Sequence, residues 1–192
     1  GLSTLILMAM GQIGFMFVYS MFLQQQLDLS ALDTGLWLVP SGIFIVFGSQ
    51  VGARLTHRID TTRVVRIGLA LEAVGLIIAA LIASPDVTFW HLLIAFACYG
   101  TGIGFAASQL TNVVLSGISV EKMGSASGAN STVRMIGSSL GIAIISAVLS
   151  SSSNGTKPAL LFAAGVVILG TLISFTIPLI GTGDVATEVV EV

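Results

Sequence analysis

Charged side chains are the scarcest feature of this 192-residue chain. It has 7 lysines and arginines and 9 aspartates and glutamates, so 8% of its residues are charged, whereas a soluble domain carries about 25%. Such a chain cannot cover itself with a surface that water solvates. Seven cations are also too few for a basic face that follows a nucleic-acid backbone. The composition therefore excludes a soluble enzyme and a partner that is nucleic acid.

Cysteine is nearly absent as well, since Cys98 is the only one. A single cysteine cannot form an intrachain disulfide, and Cys98 lies in an apolar run, where a small buried side chain is its ordinary role. The histidines, His57 and His91, share no ligand spacing with carboxylates, so we expect neither a metal site nor a cofactor. The chain opens inside an apolar stretch without an initiator methionine or a charged leader. We expect it to be the trailing piece of a longer protein.

Apolar sequence is abundant. Hydrophobic residues make up 55% of the chain, and a membrane-spanning helix needs about 20 apolar residues. Turn residues and charges separate six long apolar segments, over about residues 2–23, 34–52, 64–83, 89–115, 124–149 and 158–180. Transmembrane strands would alternate over about 10 residues, and the segments do not alternate in this way. We therefore predict an all-α membrane protein with six transmembrane helices in residues 1–180.

The cations orient these helices. Five of them fall in the second and fourth loops, against a single one in the other three loops. They are Arg54, Arg58, Arg63, Arg66 and Lys122, against Lys157. The positive-inside rule places the second and fourth loops in the cytoplasm. Because the number of spans is even, both termini lie there too, including an acidic tail over residues 181–192. We expect a multi-pass protein of the cell membrane that has the lipid bilayer as a partner.

The second loop has a distinctive spacing of glycine, arginine and acid. It reads Gly52-Ala-Arg-Leu55-Thr-His57-Arg58-Ile-Asp60-Thr-Thr-Arg63. The simplest interpretation is that any cytoplasmic loop collects arginines. The spacing also resembles the G-x-L-x-D-R-x-G-R signature of the major facilitator superfamily, which matches at Leu55 and Arg58, while Arg63 lies two residues beyond the position of the last arginine. At the signature's other positions this chain has Ala53 (after Gly52), His57 and Asp60. The resemblance implies a cytoplasmic gating loop, although His57 replaces the acid that holds the gate.

Further segments resemble the fourteen-helix drug:proton antiporters of that superfamily. They are Leu23-Gln-Gln25, Asp33-Thr-Gly35-Leu-Trp-Leu-Val-Pro40, Gly100-Thr-Gly102-Ile-Gly104, Gly124-Ser-Ala-Ser-Gly128 and Arg134-Met-Ile-Gly137-Ser-Ser-Leu-Gly141. The resemblance implies the C-terminal half-bundle of such a transporter, with inverted three-helix repeats at about 1–83 and 84–180. This half would rock against a missing N-terminal half while proton entry drives out an amphipathic, drug-like molecule. We expect the glycines of these segments to allow close helix packing.

Two predicted helices carry stripes that mix aromatic residues with amides. The stripes consist of Gln12, Phe15 and Tyr19 on the first helix and of Phe105, Gln109 and Asn112 on the fourth. Because amides facing lipid are costly, both stripes should face protein or a water-filled cavity. Hydrogen bonds between helices and contacts with a substrate both account for them. In the superfamily, the first and fourth helices of each half line the central cavity, which favours the substrate.

Two ionisable residues lie inside predicted spans. Glu72 is 11 residues before Ala83, which places it about 17 Å from the outer edge of an apolar core of about 30 Å. A bare carboxylate is expensive there, so Glu72 is a candidate for proton coupling; the alternative is a neutral or arginine-paired structural acid. Arg134 lies nearer the cytoplasm and shares a face with Asn130 and Gly137. We expect a gating or structural role for it.

Together these features predict transport and not catalysis, because Glu72 alone does not make a catalytic cluster. We predict the C-terminal half of a proton-coupled multidrug efflux transporter, which is not an enzyme. A carrier for a sugar or an amino acid is the main alternative, although such a substrate calls for a charged residue that the two stripes lack. A stand-alone six-helix scaffold or pore is another, and a pore calls for a selectivity ring or a charged lining.

Overall fold

Six α-helices make up the structure, a computed structural model that describes residues 2–115, 118–150 and 155–176. They are α1 (Leu2–Gln26), α2 (Ala31–Leu55), α3 (Thr61–Ile82), α4 (Phe89–Leu115), α5 (Met123–Ser150) and α6 (Thr156–Ser174). A short 3₁₀ turn over Val120–Lys122 precedes α5. Each of the six helices is long and apolar enough to cross a membrane. The predicted all-α fold with six spans is confirmed, and the predicted acidic tail over 181–192 lies outside the described residues.

Local sequence explains how α2 begins. Asp28 has a φ of 54° in the turn after α1, a conformation that aspartate tolerates better than most residues. The Ser30 hydroxyl oxygen then accepts a hydrogen bond from the backbone N–H of Asp33 at 3.1 Å, and the same hydroxyl donates to the Asp33 carboxylate at 2.6 Å. This N-cap satisfies a donor that the first turn would otherwise leave open. Pro40 lies within α2, which continues past it to Leu55.

The helices do not pack in the order of the chain. The helix α1 packs against α5 and α6, the helix α4 packs against α2 and α3, and α3 packs against α6. If α1 is exchanged with α4, α2 with α5 and α3 with α6, the same set of packed helix pairs results. The first three helices and the last three therefore interlock, because each group supplies one central helix to the other group.

Glycines bring α4 close to both of its neighbours. A Cβ atom built at Gly68 of α3 would lie 2.7 Å from the Gly102 carbonyl oxygen, and one built at Gly100 would lie 2.6 Å from the Ser41 carbonyl oxygen of α2. These distances are too short for any side chain, so the backbones pass each other directly. The predicted close packing is confirmed for the glycines of α4.

The glycines of α5 divide into two groups. Gly137 and Gly141 lie directly against Ile6 and Met10 of α1, so the prediction of close packing is confirmed for them. At Gly124 and Gly128, by contrast, an added Cβ would have no atom within 4 Å. This pair therefore has no close contact with another helix among the described residues, and the prediction of close packing is not confirmed for it.

Candidate functional site

The predicted stripe of α1 faces the interior of the bundle. Phe15 and Tyr19 are both 0% exposed. The Phe15 ring lies 4.1 Å from the Tyr99 ring of α4, and the Tyr19 ring lies 5.7 Å from that of Phe96, measured between centroids. The Tyr99 hydroxyl donates a hydrogen bond to the Gln12 backbone carbonyl at 3.0 Å. Gln12 is half-buried, so it is the member of this stripe that reaches the surface of the bundle.

The predicted stripe of α4 runs from the interior to the surface. Phe105 and Gln109 are buried, whereas Asn112 is exposed. The Asn112 side-chain amide donates to the Gln109 side-chain oxygen, and the Gln109 amide donates to the Ser108 hydroxyl, both at 3.4 Å. These hydrogen bonds stay within α4. The amides of α4 therefore do not serve to tie this helix to another helix in the described structure.

Glu72 lies in the tightest part of the α3–α4 contact. It is 0% exposed, and Gly102 of α4 lies directly against its backbone. Neither carboxyl oxygen has a hydrogen-bond partner among the described residues, and no arginine or lysine of the described residues forms an ion pair with it. The arginine-paired alternative for Glu72 is therefore wrong in this conformation. An unpaired carboxylate is expensive in such a place, so the group is stable there when it carries a proton.

Two residues of the predicted gating loop hold the end of α2 against the bundle, and two extend outward. Gly52 is buried, and a Cβ built there would lie 3.1 Å from the Phe105 Cα atom. Leu55 is half-buried at the last position of α2. His57 and Arg58 follow it and are exposed. The loop is therefore anchored at its α2 end and open to the surroundings at its tip.

The α3 side of the loop holds two different arginine contacts. Arg63 pairs with Asp60 at 2.8 Å, so these two predicted residues meet each other. Arg66, one turn further along α3, donates from Nε and Nη2 to the Ser174 carbonyl at 3.3 and 3.2 Å and from Nη2 to the Phe175 carbonyl at 3.4 Å. Its guanidinium also lies 4.5 Å from the centre of the Phe175 ring. Arg66 therefore caps the C-terminus of α6.

Arg66 is one of the arginines of the second loop, and arginines in such a loop are placed where they can bond neighbouring helix ends. The structure shows this contact for Arg66 at the end of α6. The sequence contains one indication of this contact: α6 has no basic residue of its own in its last turn, so a cation from another helix can stabilise that end. A helix end leaves several carbonyl groups without partners, and cations stabilise them. The contact also shows that the beginning of α3 and the end of α6 lie at the same end of the bundle.

Arg134 lies on α5 at the border between a buried and an open face. On its buried side are Asn130 and Gly137, and the side chain itself is half-buried. Its guanidinium makes no hydrogen bond or ion pair with the part of the chain that the structure describes. It lines a hollow of about 420 Å³ together with Ser131, Met135, Ser138 and Ser139.

These helices and residues can be compared with known proteins. The sequence profile of the Major Facilitator Superfamily matches residues 1–142 of the 192. The chain belongs to this superfamily. Its members are membrane carriers of small molecules and not enzymes. This membership agrees with the six membrane-length helices, and the chain is a multi-pass membrane protein.

Several relatives are resistance proteins. The methylenomycin A resistance protein of Bacillus subtilis is 25% identical over 136 residues, which are 71% of this chain and 29% of the relative. The multidrug resistance protein Stp of Mycobacterium tuberculosis is 27% identical over 143 residues, 74% of this chain and 26% of the relative. The quinolone resistance protein NorB of Staphylococcus aureus is 26% identical over 148 residues, which are 77% of this chain and 32% of the relative. The alignments thus cover about a third or less of each relative.

Proposed function

We propose that this chain forms the C-terminal six-helix half of a proton-coupled multidrug efflux transporter of the cell membrane. The observation that carries the proposal is the similarity of most of its described bundle to relatives named for resistance to methylenomycin A, to quinolones and to multiple drugs. The other half would be supplied by the remaining two thirds of such a protein. Transport would follow from the rocking of the two halves around a site between them.

The packing scheme supports two inverted three-helix repeats, at about 1–83 and 84–180. In such repeats each element has a counterpart with the same neighbours, and the exchange of α1–α3 for α4–α6 preserves every major helix contact. By this symmetry α1 and α4 are equivalent central helices. A cavity between the two halves would therefore be lined by both of them, which is where the two amide stripes lie.

The amides at the surface of the bundle are our candidates for direct contact with the substrate. Gln12 and Asn112 reach the surface of the bundle, and Gln109 lies directly behind Asn112. The aromatic members of the stripes, Phe15, Tyr19 and Phe105, form the apolar support behind these amides. An aromatic and amide surface without a fixed charge suits varied amphipathic molecules, because contact area and not one defined ion pair provides the affinity.

Glu72 is our candidate for the proton-coupling residue. Because it is fully buried between α3 and α4, a proton can reach or leave the carboxyl group when these helices move apart. Loss of the proton would leave an unpaired charge inside the contact and would favour the separated arrangement. Protonation and conformation are then linked, which is the requirement for coupling transport to a proton gradient.

The cytoplasmic loop is our candidate gate. The structure places the beginning of α3 and the end of α6 at one end of the bundle through Arg66, and the cations of the loop favour the cytoplasm for that end. Both termini would then be cytoplasmic. The exposed tip with His57 and Arg58 is free to bind the other half in one conformation and to release it in another, while Asp60 and Arg63 keep its base in place.

A drug-resistance assay tests the substrate contacts in the full-length product of the gene that encodes this chain. We expect Gln12→Ala and Asn112→Ala to lower resistance to at least one amphipathic drug severalfold at equal expression. The matched control is Gln25→Ala, which removes an exposed amide from the C-terminal end of α1. Resistance that is unchanged in both cavity variants would overturn the assignment, and a sugar or amino-acid carrier would give no resistance at all.

Proton-driven uptake into inverted vesicles tests the role of Glu72. We expect Glu72→Gln, which preserves shape but cannot release a proton, to lose accumulation driven by a pH gradient while it still binds the drug. The control is Glu121→Gln, which neutralises an exposed acid before α5. If Glu72→Gln accumulates the drug as the unmodified protein does, Glu72 is a structural acid and the coupling residue lies elsewhere.

A further inference from the structure

The uncovered surface of α5 has two sides with different chemistry. One side carries large apolar residues, Ile136, Leu140 and Ile144, which are 38–49% exposed. The other side is rich in small hydroxyl residues, of which Ser127, Ser131 and Ser139 are exposed. The first side suits lipid, whereas the second suits water or a polar ligand. Arg134 lies on the border of the second side, in the hollow that Ser131, Ser138 and Ser139 help to line.

Polar groups in and beside this hollow lack partners. A guanidinium carries five N–H donors, and that of Arg134 bonds to none of the residues that the structure describes. One turn earlier on the same helix, Asn130 is 7% exposed, and its side-chain oxygen has no donor among the described residues; this oxygen is an acceptor, so the anion would be held by the guanidinium and not by Asn130. A charged group within a membrane-spanning helix pairs with an opposite charge or with backbone carbonyls, or faces water. The described residues supply no anion to Arg134, so the hollow is open to one from elsewhere.

The position of Arg134 along the helix gives the direction of access. Gly137 and Gly141 of α5 contact Ile6 and Met10 of α1, so the two helices run in parallel. Arg134 lies nearer to the start of α5 at Met123 than to its end at Ser150, and by the proposed orientation the start of α5 is the cytoplasmic end. A molecule that enters from the cytoplasm would meet Arg134 before it meets Gln12 of α1.

We propose that the hollow around Arg134 binds the carboxylate of a small molecule. A guanidinium fork matches a carboxylate with two parallel hydrogen bonds, and the neighbouring serines add hydroxyl donors. The hollow of about 420 Å³ is lined by residues of α5 and open to the surroundings, so a small molecule can reach the guanidinium there. Met135, which is 69% exposed, offers a flexible apolar surface for the rest of the molecule. The inference rests on the proposed function, because it adds acidic molecules to the substrates of the carrier.

Equilibrium binding of a matched pair of fluorescent probes tests this site. Dansylglycine carries a carboxylate, and dansylglycinamide differs only in having a neutral amide there. With the full-length gene product in phosphatidylcholine nanodiscs, we expect the acid to bind about tenfold more tightly than the amide. Arg134→Gln should abolish this preference, and Arg134→Lys should keep part of it. The control Lys122→Gln, which removes an exposed cation before α5, should leave the preference intact.

Two results would overturn the proposal. The first is equal affinity of the unmodified protein for the acid and the amide, which needs no variant and is readable even if Arg134→Gln does not fold. The second is an Arg134→Gln variant that folds and weakens the acid and the amide alike, because that pattern indicates a structural role. Binding does not depend on transport, so a failure of drug efflux would refute the proposed function and still leave the preference for the acid measurable.

Discussion

Alanine in place of Gly68 tests how closely α3 and α4 approach each other. The added Cβ would lie 2.7 Å from the Ala106 backbone nitrogen, 2.7 Å from the Gly102 carbonyl oxygen and 2.8 Å from the Phe105 Cβ atom. Ordinary contacts between such atoms are about 3.5–4.0 Å. Because these neighbours belong to the α4 backbone or are attached directly to it, none of them can turn away. The two helices would have to separate by roughly 1 Å.

The expected cost follows from two opposing effects. Overpacking of a close contact costs about 1–3 kcal/mol, whereas replacing a glycine within a helix by alanine contributes up to about 1 kcal/mol of stability. We therefore expect Gly68→Ala to destabilise the protein by up to about 2 kcal/mol. Gly165 of α6 provides the control, because a Cβ added there meets nothing within 4 Å. Gly165→Ala should leave the stability unchanged or raise it slightly.

Thermal unfolding of the purified full-length gene product measures both variants under the same conditions. The fluorescence of Trp37 and Trp90 reports on the described helices α2 and α4. We expect a lower unfolding temperature for Gly68→Ala and no decrease for Gly165→Ala. Equal unfolding temperatures for the two variants would refute the close approach of α3 and α4, and with it the burial of Glu72 between them.

Two further predictions concern the ends of helices and use the same thermal assay. Arg66→Ala removes the cap from the carbonyls of Ser174 and Phe175 and should cost about 1–3 kcal/mol, with partial recovery in Arg66→Lys; an unchanged unfolding temperature would contradict this. Ser30→Ala removes the N-cap of α2 and should cost about 1 kcal/mol. Ser150→Ala is its control, since the exposed Ser150 hydroxyl only bonds back to its own helix, and an equal loss in both would argue against the cap.

The number and position of the helices could be predicted from the sequence. Length and hydrophobicity decide whether a segment can span a membrane, and they do so locally. The predicted segments 2–23 and 124–149 correspond to α1 (Leu2–Gln26) and α5 (Met123–Ser150). The differences of a few residues arise at ends such as Gln24-Gln25-Gln26, where polar residues continue the helix beyond its apolar part.

The direction of each helical face could not be predicted in the same way. A membrane helix is apolar all round, since lipid and protein interior are similar environments for apolar side chains. Phe15 and Tyr19 follow the same rhythm as Gln12, yet they lie in the core while Gln12 reaches the surface. Gly124 and Gly137 belong to similar glycine pairs, and only Gly137 meets another helix in the described structure. Both outcomes depend on which helices become neighbours, which the local sequence does not specify.

Glu72 and Arg134 show why the function depends on which helices pack against each other. From the sequence, one alternative for Glu72 is a structural acid paired with an arginine, and a gating or structural role is expected for Arg134. In the structure, Glu72 lies in the contact of α3 with α4, while α5, which carries Arg134, packs chiefly against α1 and α6. The two residues therefore lie in different helix contacts, and we propose a proton for the first and an external carboxylate for the second.

A double-mutant cycle decides between separate and paired charges. Effects of distant residues without shared partners add to within about 0.3–0.5 kcal/mol, whereas paired charges show a larger interaction energy. We therefore expect the loss or gain of stability in the double variant Glu72→Gln/Arg134→Gln to equal the sum of the single changes. The measurement is the unfolding free energy of the four proteins in one detergent. A double variant markedly more stable than this sum would mean that the two side chains meet in the membrane, and both assignments would then fail together.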